Sequence, residues 1–375
     1  MSLIASIGTT VRKSPFFDSA LADGLRSVSV YNQMYIPVHY GDPRAEYERL
    51  MNGVVMWDVG CERQVQIEGP DAGQLAQYLT PRYIGNMPIG QGYYVPLCDH
   101  DGWIINDPVL LKLSENCFWL SIADSEIHLW ASAIARERGW DVSVSEPDVS
   151  PLAVQGPKSF DVIADLFGED TRKMRYFAFI ETDLDGIPLV LARSGYSKQG
   201  GFELYLRDGK RGADLWQAIK TAGSPYGIGP GAPTLPERVE SALLSYGGDM
   251  RRQNLAVNPY EVGFGPLIDL TKGHDFVGRA ALQAIANEGP KRRRVGFFVD
   301  GRPEPLDQAA DIILEGEKVG YVTIMCFSPQ LDRTIATGMI PTTLSAGASG
   351  LAVDLPSGQH KLEITELPFV RNTRE

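Results

Sequence analysis

The chain has 375 residues, 43% hydrophobic and 22% charged, an ordinary globular composition and a length for roughly two to three domains. These figures exclude a disordered chain, a collagen-like repeat and a disulfide-held miniprotein. With 35 basic against 47 acidic residues the net charge is −12, which argues against general binding of nucleic acid or anionic lipid and leaves room only for a local basic pocket.

No segment reaches the ~18 continuous apolar residues of a membrane span. Residues 1–17 lack the basic start, apolar stretch and cleavage site of a signal peptide. Cys61, Cys98, Cys117 and Cys326 are spaced neither as a metal knuckle nor as a redox pair, so reduced thiols in a cytoplasmic protein are expected.

Strand-like and helix-like stretches alternate. One pattern occurs twice: Gln66-Ile67-Glu68-Gly69-Pro70-Asp71-Ala72 leads into a helix to Leu79, and Ala153-Val154-Gln155-Gly156-Pro157-Lys158-Ser159 into a helix to Phe167. Each reads as strand, Gly-Pro turn and helix with Pro near its first turn, which is either a mark of two related α+β lobes or a chance recurrence of a common turn. Residues 94–113 read as a hairpin with its turn at Asp99-His100-Asp101-Gly102. Residues 223–236 hold four glycines and four prolines and read as a long loop. The loop ends in a capping box with Thr234 as N-cap and Glu237 three residues on. The following helix has Val239, Ala242, Leu243 and Tyr246 on one face. After Lys291-Arg292-Arg293-Arg294, short strands are predicted at 295–299, 311–314, 318–323 and 334–339, with a Gly/Ser-rich stretch at 345–350. Their spacing suggests a small barrel or sandwich, with a domain boundary near residue 285.

The five histidines (His39, His100, His128, His274, His360) are scattered and no metal site is expected. No Gly-x-Ser-x-Gly elbow occurs, and Gly227-Ile228-Gly229-Pro230-Gly231 reads as a loop rather than a phosphate cradle. Asp107 shares a period-two face with Val109, Leu111 and Leu113. It is either a carboxylate kept in an apolar face for chemistry or a structural Asp bonding nearby backbone. Around residues 193–206, Phe202, Leu204 and Leu206 face one side of a strand and Glu203 and Tyr205 the other, beside a mobile Gly200-Gly201. A Glu there suits the two N–H donors of an amidine-like edge such as a pterin's; the alternative is a solvated outer face. Arg238 with Glu240 reads as a functional pair or a surface ion pair. The basic run at 291–294 reads as a holder of a carboxylate tail or a solvated strand start. Tyr31, Trp57, Trp119, Tyr176, Phe177, Phe179 and Tyr196 could face an onium ligand or simply fill core.

In chain order, Trp57-Asp58-Val59-Gly60, Ile67-Glu68-Gly69-Pro70-Asp71-Ala72, Gly102-Trp103-Ile104-Ile105-Asn106-Asp107, Leu152-Ala153-Val154-Gln155-Gly156-Pro157, Gly200-Gly201-Phe202-Glu203, Arg238-Val239-Glu240-Ser241-Ala242-Leu243-Leu244-Ser245-Tyr246-Gly247-Gly248-Asp249 and Asn258-Pro259-Tyr260-Glu261 resemble the tetrahydrofolate-dependent aminomethyltransferase family, typified by the T-protein of glycine cleavage. Within it, Val30-Tyr31-Asn32-Gln33-Met34, Glu62-Arg63-Gln64-Val65 and Arg193-Ser194-Gly195-Tyr196-Ser197-Lys198-Gln199 are most similar to the dimethylsulfoniopropionate-demethylating branch. The resemblance implies an α+β, three-domain ring around a central folate channel, with a two-lobed folate-binding region at 1–285 and a small C-terminal β-barrel at 286–375. It implies Asp107 at the reacting folate nitrogen, Glu203 on the pterin, and Tyr205 and Arg238 near the folate. Tyr31 and Tyr196 would wall the methyl donor, and Lys198 is a candidate partner for a donor carboxylate or a solvated lysine. The implied reaction is methyl transfer from dimethylsulfoniopropionate to tetrahydrofolate. Alternatives are another methylated donor (a betaine, a dimethylglycine-like amine, an aromatic methyl ether) or a non-catalytic folate-binding accessory protein. Where the T-protein carries a Thr-Gly-Glu-Asp-Gly loop, this chain has Ser197-Lys198-Gln199-Gly200-Gly201, which argues against a lipoyl carrier partner and for a small free substrate.

Overall fold

A computed structural model describes residues 8–344 and 347–371. Residues 1–7 of the N-terminal reading and Ser345 and Ala346 of the Gly/Ser-rich stretch lie outside the described residues. Among those described, no helix is long and apolar enough to cross a membrane.

Two antiparallel sheets carry the first two-thirds of the chain. The first runs Ser143–Ser145, Gln64–Glu68, Cys117–Ser121, Val109–Ser114, Gln91–Tyr94 across five strands. The second runs Phe179–Leu184, Ile187–Ala192, Gly201–Leu206, Ser150–Gln155, Val55–Asp58, Gly229–Gly231 across six, its last pair parallel. Each sheet covers one face with two helices. Ala72–Leu79 and Ile127–Arg138 bury Leu75, Leu79, Ile127 and Ala131 on the first. Ser159–Phe167 and Gly212–Gly223 bury Val162, Ile163, Leu215 and Ile219 on the second. The opposite faces of the two sheets meet through Leu111, Leu113 and Trp119 against Val190 and Tyr205.

Both strand–Gly-Pro–helix units form where the sequence places them, but Pro70 and Pro157 stand ahead of the helices, which begin at Ala72 and Ser159. The glycine matters more than the proline. Gly156 has φ +109, and a Cβ there would meet the Gly53 carbonyl at 2.6 Å, so only glycine fits.

The hairpin forms with a break. Leu97–Cys98 pairs with Ile104–Asn106 and Gln91–Tyr94 with Val109–Ser114, while Asp107-Pro108 interrupts the second arm. Asp99 closes the turn, accepting from the Asp101 and Trp103 N–H groups, each at 3.0 Å. The long loop contains a short edge strand, Gly229–Gly231, so it is not wholly irregular.

The capping box does not form. Thr234 makes no cap bond, and among the described residues its hydroxyl is buried without a partner. Glu237 instead accepts from the Lys198 N–H, Gln199 Nε2 and Ser241 Oγ. The helix is only Leu235–Glu240, and Ala242 at φ +57 turns the chain away, so Leu243 and Tyr246 do not continue its face. C-terminally, Arg292–Val299, Arg333–Pro341, Glu317–Ser328, Ala310–Leu314, Ala352–Leu355 and Gly358–Thr365 close into a barrel in that order, around Phe297, Ile312, Val322, Ala336 and Ile340.

Candidate functional site

The break in the hairpin is what frees Asp107. Asn106 is locked by bonds from its Nδ2 to the Ala123 carbonyl (2.9 Å) and Ser125 Oγ (2.8 Å), and its Oδ1 accepts from the Ala123 N–H (3.0 Å). Pro108 follows and removes a donor. Asp107 thus sits in the break between Ile104–Asn106 and Val109–Ser114, 9% exposed. Its Oδ2 accepts from Tyr94 Oη at 2.6 Å. Burial pushes the carboxyl up to about 7; the Tyr94 bond pulls it back and Asp249 raises it.

Glu203 lies in the second sheet between Ala153 and Ala192, small neighbours that leave its carboxylate room. Ser194 Oγ (2.5 Å) and Tyr205 Oη (3.0 Å) both donate to Oε2. Burial raises its pKa and those two bonds hold it down. The face carrying Glu203 and Tyr205 is therefore an inter-lobe interior, not a solvated surface. Gly200-Gly201 is closely packed. Gln155 reaches across to the Ser194 and Phe202 carbonyls and accepts from Ser197 Oγ, and a Cβ at Gly201 would meet its Nε2 at 2.3 Å. This packing fixes the loop that carries Tyr196.

Glu62 joins the two acids. Burial raises its carboxyl well above the usual range, followed by the charges of Glu203 and then Asp107. Tyr31 is raised by burial and then by Asp107, Glu62, Cys61 and Tyr196, and Tyr205 by burial, Glu203 and Glu62. Tyr31, Glu62, Tyr94 and Tyr196 are only half-buried, yet burial is the first cause that raises the pKa of each.

Arg238 and Glu240 are not a surface pair. Arg238 bonds Asp249 Oδ2 at 2.5 Å in the interior, while Glu240 accepts from Tyr47 Oη and Ser328 Oγ. Burial works against the Arg238 charge, but Asp249 and Tyr196 beside it raise its pKa. Asp249 also accepts from the Ser245 N–H and Thr337 Oγ1, tying the barrel to the site. The basic run is not a solvated strand start: Arg292 pairs with Glu261 at 2.9 Å, and Arg294 bonds the Ala242 carbonyl at 2.9 Å and lies among Asp249, Arg238, Tyr196 and Tyr94.

The structure thus gathers Asp107, Glu203, Tyr205, Arg238, Tyr31 and Tyr196. Lys198 is half-buried, and its backbone N–H donates to Glu237 at 2.9 Å. Trp57, Trp119 and Phe179 are core, and Tyr176 and Phe177 bridge the lobes through their carbonyls to Gln91 Nε2 and the Gly92 N–H. Sequence reasoning missed Glu62, Tyr94, Ser194 and Asp249 as members of this group. A glutamate in a short turn between two apolar strands was the available signal for Glu62.

That turn rests on Asp58, whose carboxylate accepts from Ser14 Oγ (2.5 Å) and the Gly60 N–H (3.1 Å); burial pushes it up to about 6 against those bonds. Ser14→Ala is expected to cost ~1–3 kcal/mol and to lower the melting temperature by a few degrees in calorimetry; an unchanged melt would show that Asp58 finds another donor.

Comparison with known proteins agrees with this architecture. Residues 16–272 match the GCVT N-terminal domain and residues 292–371 the Glycine cleavage T-protein C-terminal barrel domain. The chain is 41% identical to dimethylsulfoniopropionate demethylase DmdA of Ruegeria pomeroyi, over 95% of this chain and 96% of that protein. It is 30% identical to an aminomethyltransferase of Symbiobacterium thermophilum, over 97% and 98%. The crystal structure of glycine cleavage system aminomethyltransferase T from Bartonella henselae has the same fold, with TM-score 0.84 and 23% identity over 96% of this chain and 99% of that one.

Proposed function

The chain belongs to the glycine cleavage T-protein family, is an enzyme and uses tetrahydrofolate as its acceptor, and from that premise we propose that it transfers a methyl group from dimethylsulfoniopropionate, leaving methylmercaptopropionate. What carries this reading is that Asp107 and Glu203 are both buried carboxylates, each accepting from a tyrosine hydroxyl, and that the charges of both act on Glu62. The likeness to the Ruegeria pomeroyi demethylase supports the choice of donor. We assign the folate-binding region to 1–285 and the small barrel domain to 286–375, and we expect no lipoyl carrier.

The residues present fit a reduced pterin. Both bonds to Glu203 go to Oε2, which leaves Oε1 for ligand N–H donors. When bound, tetrahydrofolate supplies the nucleophilic N5 that accepts the methyl group. Asp107, close to neutral pH in its pKa, offers negative charge where positive charge develops and a base for the proton released. Tyr205 holds Glu203 in place, and Arg238 with Asp249 fixes the position of Tyr196. Tyr31 and Tyr196 present phenol rings to the donor, whose sulfur keeps the bonding pair and leaves as a neutral thioether. Alignment of the two reactants supplies most of the remaining acceleration, on the order of 7–11 kcal/mol.

Purified protein given tetrahydrofolate and dimethylsulfoniopropionate should yield methylfolate and methylmercaptopropionate in equal amounts, read by mass spectrometry. Folate binding without thioether would overturn the choice of donor.

A further inference from the structure

We infer that the strand Ser27–Tyr31 is the docking edge for a second copy of this chain. Two copies pair antiparallel about a two-fold axis at Ser29 and join their hairpins into one four-stranded sheet.

Ser27–Tyr31 and Met34–His39 form a sheet of only two strands. Their turn, Asn32-Gln33, has φ 51 and 60, the left-handed pair of a tight hairpin turn. The register shows which backbone groups point outward. Val28 stands opposite Pro37, which has no N–H. Val30 stands opposite Tyr35, whose N–H donates away from the hairpin to the Arg12 carbonyl at 3.0 Å. These two pairs therefore exchange no bonds within the hairpin, while Ser29–Ile36 and Tyr31–Met34 exchange theirs. The N–H and C=O groups of Val28 and Val30 point to the free side of the strand, and among the described residues nothing bonds them. This edge also lacks the usual guards. From Val28 to Tyr31 there is no charge, no proline and no bulge, and Val28 and Val30 are 37% and 46% exposed.

The edge is complementary to itself. With Ser29 on the axis, Val28 meets the partner's Val30, and Val30 the partner's Val28. Each of those pairs exchanges two hydrogen bonds and sets one valine against another. The same register carries Arg26 to the partner's Asn32. Arg26 is exposed and, among the described residues, its side chain makes no hydrogen bond or ion pair. Beside Asn32 lies an acidic recess, a cavity of ≈ 330 Å³ whose lining includes Asn32, Gln33, Asp124, Glu126 and Arg251. Asp124 accepts from the Asn32 N–H and Glu126 from Gln33 Nε2, each at 2.8 Å. The contacts of these acids with Arg251 and Arg63 are long, 3.4 Å each. An unpaired cation on each copy thus faces an acidic recess on the other, twice by symmetry. This charge match selects a second copy over an unrelated apolar partner.

The test is sedimentation velocity of the full-length chain across the micromolar range. Wild type should sediment as a dimer. Val30→Lys should be monomeric at the same concentrations, because it puts a charge on the pairing edge. Arg26→Glu should weaken the dimer at least ~10-fold, and adding Glu126→Arg should restore it. Ser29→Cys sets two thiols across the axis, at the Cα spacing of ~4.5 Å of a pair that exchanges no bonds, which is within disulfide reach. Mild oxidation of that variant should give a covalent dimer linked through position 29, read by peptide mass spectrometry. Ser29→Cys changes one atom, so it reads the pairing even where Val30→Lys unfolds the hairpin. A monomeric wild type, a dimer untouched by Val30→Lys or by Arg26→Glu, or a dimer that Ser29→Cys does not link would each overturn the inference.

Discussion

Asp107→Asn should lower turnover ~10²–10³-fold while folate affinity stays within a few-fold of wild type. Asn keeps the size and an acceptor for Tyr94, so the Tyr94–Asp107 contact of 2.6 Å has a replacement, but it can neither carry charge nor take a proton. Wild-type turnover should rise with pH through about 7, the carboxyl's own value, and that limb should vanish in the variant. Stability moves the opposite way. A carboxyl raised from 3.8 to about 7 on folding holds a proton that the unfolded chain has lost, so its contribution is fully present below 3.8 and is lost as pH rises through about 7. That rise amounts to on the order of 4 kcal/mol. Asp107→Asn should therefore melt higher than wild type at pH 8 and alike near pH 4. Coincident melts at pH 8, or unchanged turnover, would remove Asp107 from the role given it.

The fold was legible where a local rule acts alone. Gly156 and Gly69 announce the turns because nothing larger fits, and the Asp99 turn follows from side-chain bonds to residues two and four further on. The barrel strands are short and evenly spaced, and their pairing Arg292–Val299 with Gly358–Thr365 closes what spacing alone leaves as barrel or sandwich. The rule failed at Thr234. There Glu237 is recruited by the Lys198 N–H and Gln199 from a distant loop, and a tertiary contact outweighed the local cap.

The site was legible in its acids and not in its partners. Asp107 stands out because a carboxylate on an apolar face is rare, and Glu203 because it shares the opposite face of its strand with Tyr205. Whether each faces solvent or an interior depends on the second lobe, and no periodicity within one strand carries that. The Arg238–Glu240 reading stayed open for the same reason, since the Arg238 partner Asp249 is reached only after the chain turns at Ala242. Glu62 is influenced by Glu203 and Asp107, residues far along the chain, and spacing does not show it.

Glu203→Ala should weaken tetrahydrofolate ~10²-fold, because a desolvated carboxylate that takes ligand N–H donors is worth ~1.5–3 kcal/mol for each bond. The loss is specific. Ser194 and Tyr205 donate to Oε2, and both polar groups would remain partnered by water in the enlarged space. Titration calorimetry with tetrahydrofolate reads the loss, and undiminished affinity would place the pterin elsewhere.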